Sequence, residues 1–147
     1  MQLNQTLVKK ELIPLLTKKK DSILDLQFNT IQSNDVKSSA GDKHETSVAM
    51  AHLEQEKIAN QLQLVESMLT TVNKLAPIST IKIQLGHLIL TTSGWYFLSV
   101  GFGKIEVNDE NIYCLSSQSP IGQLLLGKQL NDKVHWQGKS ITILEIH

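Results

Sequence analysis

The chain has 147 residues, 14 lysines with no arginine against 14 acids, and a single cysteine, Cys114. No apolar run approaches the ~18 residues of a membrane span, and one thiol excludes an internal disulfide framework or a cysteine-rich zinc site. A net charge of zero argues against autonomous DNA or RNA binding, which lives on a basic excess.

The start, Met1-Gln2-Leu3-Asn4-Gln5-Thr6, lacks the layout of a signal peptide. The expectation is a soluble, cytoplasmic protein with no membrane attachment, whose partner is another protein. Leu12, Leu16, Ile23 and Leu26 then follow helical spacing, interrupted by Lys19. Pro14 implies a kink there, or a helix start near Ile13 with the proline in the first turn. Ser33 to Gly41 is polar, with turn chemistry and no apolar period.

The strongest periodic signal follows. Val48, Ala51, Gln55, Ile58, Leu62, Val65, Leu69, Val72 and Ala76 lie at alternate steps of three and four, with Gln55 the one polar member. That is the a/d seam of a coiled-coil helix. Residues 43–75 as one helix would reach roughly 50 Å. Residues 1–76 are therefore expected to form an antiparallel helical hairpin, projecting as a finger with its tip at about 34–45. A seam does not name its partner helix, so an intermolecular coiled coil stays open.

Residues 77–147 change character: seven of the eight glycines lie there. Ile78–Gln84, His87–Thr91, Trp95–Val100, Asn111–Leu115, Lys133–Gln137 and Ile141–Ile146 are candidate strands, separated by turn-forming clusters. Gly101-Phe102-Gly103 reads as a bend. Ser119 as N-cap, Pro120 at the first helical position and Gly127 at the end frame one short helix. The fold class is α+β, a mostly antiparallel sheet with a helix on one side.

Asp42 and Glu45 are the candidate site. Three residues apart at a helix start, they can project from one end of the finger and offer hard oxygen ligands to a divalent metal. The same Asp-x-x-Glu is also a capping box, and the two roles are compatible. Lys18-Lys19-Lys20 is a phosphate-facing patch or a solvated helix face. His44 lies beside the acids, but His52 is about two turns away. His87, His135 and His147 have no metal-ligand spacing. Trp95-Tyr96-Phe97 alternates faces of a strand, and Cys114 reads as a buried, inert thiol. Ser116-Ser117-Gln118-Ser119 has no nucleophile-elbow pattern.

The order of parts resembles the GreA/GreB transcription elongation (transcript cleavage) factor family. The specific residues are Ser119-Pro120-Ile121-Gly122-Gln123-Leu124-Leu125-Leu126-Gly127-Lys128, then Asp132-Lys133-Val134, then Ile143-Leu144-Glu145-Ile146. The resemblance implies an FKBP-like C-terminal domain docking on bacterial RNA polymerase, and a finger entering the secondary channel. Asp42 and Glu45 match the family's acidic tip. They would help hold Mg²⁺ shared with the polymerase, with none bound by the isolated protein, and stimulate cleavage of backtracked RNA. Such a protein is a cofactor, not an enzyme, and meets the nascent RNA 3′ end only inside the polymerase. The family usually has Asn after the Glu, whereas Thr46 stands here. A non-cleaving secondary-channel regulator is the alternative. A free-standing prolyl isomerase follows from the FKBP-like fold only, and fold alone does not confer function.

Overall fold

The first helix opens at Asn4. Its Oδ1 accepts from the Leu7 N–H at 2.8 Å and its carbonyl from the Val8 N–H at 3.2 Å, a side-chain cap followed by the first helical bond. Helix α1 then runs Gln5–Ser38, and α2 runs His44–Lys74. This computed structural model describes the backbone of residues 2–38 and 44–147, and side chains over 2–31 and 48–147. Pro14 neither starts nor ends α1 but lies inside it. It removes one helical bond, and its exposed position lets water reach the freed Lys10 carbonyl.

The chain divides into two compact units, Met1–Ile13 with Thr70–His147, and Pro14–Leu69. Within Pro14–Leu69 only residues 39–43 join the two helices, and a connection that short makes an αα-hairpin. On α2 most of the expected seam is inward: Ile58, Val65 and Val72 are buried, and Ala51, Gln55, Leu62 and Leu69 are half-buried. Val48, however, is 46% exposed, and Ala76 lies beyond the helix end and is exposed. On α1 the buried positions are Leu16, Ile23 and Thr30, with Lys20 and Gln27 half-buried between them. Leu26, expected in the seam, is 47% exposed. From Ile23 the steps of four and three lead to Gln27 and Thr30, so Leu26 falls off the stripe. Lys19 is exposed too, and the neighbouring Lys20 lays its stem along the seam. Its Nζ lies 3.6 Å from Glu66 Oε1, a solvent-screened pair worth ~0–1 kcal/mol.

The other unit is built on six strands: β1 Leu88–Thr91, β2 Gly94–Ser99, β3 Gly103–Val107, β4 Glu110–Ser116, β5 Lys133–Trp136 and β6 Lys139–Ile146. Helix α3, Pro120–Leu125, falls between β4 and β5. The strand order is β3-β4-β2-β1-β6-β5, antiparallel except for the parallel pair β2–β4. Two differences from expectation stand out. Ile78–Gln84 is an extended connection, tied at one point by Ile83 N to Lys128 O (2.8 Å) and Gly127 N to Ile83 O (2.9 Å). And Gly103–Val107 is an edge strand: Ile105 and Val107 are buried while Lys104 and Glu106 point out. Outward charges on an edge discourage pairing with another chain. Asn108 and Asp109 turn from β3 into β4 with φ of 52° and 65°, the left-handed pair of a two-residue hairpin.

Ile83, Ile89, Leu98, Leu125, Val134, Ile141 and Ile143 form one core, with Ile121 and Leu124 of α3 packed against it. Residues on the opposite strand face, among them Leu88, Phe97, Ile112 and Cys114, are also buried. The same compact unit contains buried Leu3 just before α1, Val8 and Leu12 in α1, Val72 in the last turn of α2 and Leu75 just after it. The sheet thus needs apolar cover on both faces.

Candidate functional site

Asp42 lies between α1 and α2, outside the described residues. Glu45 is the second residue of α2, and its side chain, like that of His44, lies outside the described set. The metal-pair and capping-box readings of Asp42 and Glu45 therefore both stay expectations. What surrounds them in the chain is described: a helix on either side, each with a heptad seam, in a hairpin unit. Among the described residues no cluster of three or more His, Cys, Asp or Glu could hold a metal ion, and no helix is long and apolar enough to cross a membrane.

The segment that carried the family resemblance has an evident structural purpose. Ser119 caps α3: its Oγ accepts from the Gly122 N–H at 3.1 Å and donates to the Ser116 carbonyl at 2.6 Å. Pro120 occupies the first turn. A Cβ at Gly122 would run into the Ser116 carbonyl oxygen, so glycine is required there. Gly127 leaves the helix at φ +78°, a conformation that costs glycine little. Asp132 Oδ2 then accepts from the Gln129 N–H at 2.8 Å, and its carbonyl accepts from Ile143 N at 3.0 Å, leading the chain into β5 beside β6. These residues specify a connection. None of them is a reactive group.

No family model matches the chain, and no curated protein matches it. Solved structures that resemble it include two of Gfh1. The transcription factor Gfh1 is similar at 15% identity over 92% of each chain, with a TM-score of 0.37. Gfh1 from Thermus aquaticus is similar at 17% identity, over 91% of this chain and 92% of that one, again with a TM-score of 0.37.

The remaining candidates are structural or lie exposed on the surface. Cys114 is buried, and burial pushes its thiol up to about 12, which leaves it an inert thiol at neutral pH. His87 is buried, and its Nδ1 accepts from the Gln84 N–H at 2.9 Å. Burial lowers its pKa below the usual 6.5, and the bond requires the neutral ring. His147 places Nε2 3.0 Å from Glu145 Oε1, with its ring centroid 5.9 Å from that of Trp95. Tyr96 faces Tyr113 at 5.9 Å, and burial, then the Tyr113 phenol, raises its pKa. Lys18 and Lys19 are exposed, His52 and His135 likewise.

Two residues that the sequence pattern did not single out hold the helix ends in place. Gln5 is buried and its Nε2 donates twice, to Gly86 O at 2.7 Å and to Ala76 O at 3.0 Å. Lys9 Nζ donates to Leu75 O at 2.6 Å and Asn73 O at 3.3 Å, satisfying carbonyls at the end of α2. A glutamine and a lysine in a first turn carry no sequence signal of such a role.

Proposed function

We propose that this chain is a transcription elongation factor of the GreA/GreB type that acts on RNA polymerase. In this reading the hairpin enters the secondary channel with Asp42 and Glu45 foremost. One observation carries it: two long helices in one hairpin unit, with Asp42 in the sequence between them and Glu45 at the start of the second, joined to an α+β unit whose Ser119–Lys128 segment contains the capped α3. The chain's own chemistry is sparse, with an inert thiol and no metal cluster among the described residues. That suits a protein that adds ligands to another enzyme's site.

Two carboxylates fill only part of an octahedral Mg²⁺ shell, so Asp42 and Glu45 suit a metal completed by water and by the polymerase. When bound, that ion would polarise water for attack on the RNA backbone. The role of this chain is to place two oxygens within the ~1 Å tolerance that such positioning demands. The test uses stalled elongation complexes with labelled RNA in the presence of Mg²⁺. Added wild type shortens the RNA, and Asp42→Asn and Glu45→Gln reduce cleavage by at least ~100-fold, as for loss of a charge-stabilising group. Absence of shortening with wild type would overturn the cleavage reading. Thr46, in place of the family's usual Asn, favours the second reading, a non-cleaving secondary-channel regulator. In that case elongation rate or pausing changes while the RNA keeps its length.

A further inference from the structure

Within the hairpin unit, the seam changes chemistry along its length. Over its first half on α1, and over the matching second half on α2, it is mainly aliphatic: Leu16 and Ile23, with Lys20 between them paired to Glu66, and Ile58, Leu62, Val65 and Leu69. Toward the inter-helix connection the inward positions become Gln27 and Thr30 on α1, and Ala51 and Gln55 on α2. In the same stretch large apolar side chains point outward instead: Phe28 is 61% exposed, Met50 65% and Leu53 66%. The distal segment therefore buries little apolar surface against itself, and a buried polar seam position lowers stability further unless it is bonded.

We infer that the distal segment, residues 24–31 with 48–57, is a separate opening unit: its helices part and re-form while the aliphatic part of the hairpin stays closed. Local opening follows the density of buried apolar contact, and here that density falls within one hairpin at a change of residue type. Both helices run through this segment, so the opening begins as a loss of pairing between them. The unpaired helix turns then open their own hydrogen bonds, because short helices without tertiary support are marginal in water. The opening stands whether or not the proposed function holds.

Hydrogen exchange of the free full-length protein tests it. Amides of 26–31 and 51–57 should exchange at least ~100-fold faster than those of 16–23 and 60–69, the factor set by roughly one to two fewer buried aliphatic side chains. Ordinary fraying near a connection would give a similar gradient, so the second measurement is decisive. In Gln27→Leu/Gln55→Leu the distal amides should slow by at least ~10-fold, whereas Asn29→Leu, on the exposed side of α1, should change them by no more than ~3-fold. Equal protection along the hairpin overturns the inference, and so does a double variant that behaves like Asn29→Leu. Neither outcome touches the cleavage assay, which reports on the function separately.

Discussion

Replacing Gln5 by alanine should destabilise the sheet-containing unit well beyond the value of an average hydrogen bond. The wild-type amide donates to the buried Gly86 carbonyl at 2.7 Å and to Ala76 O at 3.0 Å. Alanine removes both donors, and a buried carbonyl left unpaired costs ~1–3 kcal/mol. Part of the side chain's buried aliphatic stem is lost as well, at ~0.8 kcal/mol per methylene. Together these give about 2–4 kcal/mol. Both tryptophans, Trp95 and Trp136, lie in that unit, so their fluorescence during urea unfolding reads its stability. The midpoint should fall by roughly 1–2 M with little change in slope. Gln5→Glu sharpens the test: at neutral pH a carboxylate would face two carbonyl oxygens with no proton to give. Its folded-state pKa should be raised, so this variant should recover stability as the pH falls and the carboxyl protonates. An alanine variant whose midpoint stays within ~0.3 M of wild type would refute the assignment of Gln5 as a two-carbonyl tie.

Three further outcomes follow from the same coordinates. His87 has a depressed pKa through burial, so the unfolded chain binds the proton more tightly. Stability of that unit should be full above about pH 6.5, decline as pH drops below it, and level off below the folded-state pKa. His87→Asn, which offers an acceptor near the position of Nδ1 but does not titrate, should lose this slope, and urea midpoints between pH 5 and 8 would show it. Cys114, with its thiol pushed up to about 12, should react with a disulfide reagent at pH 8 at least ~100-fold more slowly in the native state than in urea. Equal rates would mean that the thiol is accessible. Pro14→Ala should restore a helical bond inside α1 and raise stability by up to ~3 kcal/mol, read as a higher thermal midpoint.

The elements legible in the sequence were those whose signal is local and repeated. The α2 seam could be read because its positions recur every three or four residues over a long stretch and Ile58, Val65 and Val72 are buried as that period requires. Helix α3 was legible from its cap, proline and terminal glycine. Helix α1 was harder. Its seam alternates aliphatic residues with Lys20, Gln27 and Thr30, so its apolar period is weak, and Pro14 masks its continuity. The β3 strand is hard to read because Gly101 and Gly103 stand at its entry and only two of its residues, Ile105 and Val107, are buried, with Lys104 and Glu106 alternating with them. Ile78–Gln84 has strand composition, yet its ties to the Gly127–Lys128 turn are made at Ile83 and it pairs with no strand, which no propensity conveys. The acidic pair stood out by spacing alone. Gln5 did not, because its importance comes from Gly86, which is near in space and remote in sequence.

The division of the chain also bears on how the protein is made. One compact unit joins Met1–Ile13 to Thr70–His147, and the other is the uninterrupted stretch Pro14–Leu69. During synthesis the hairpin segment emerges whole and can close on itself, while Leu3, Gln5 and Val8 wait for partners not yet translated. The sheet unit must therefore assemble last, around a beginning made first. Contacts of that span are slow to form and expose apolar surface meanwhile. A ribosome stalled late in this message would hold a finished hairpin and an unfinished sheet.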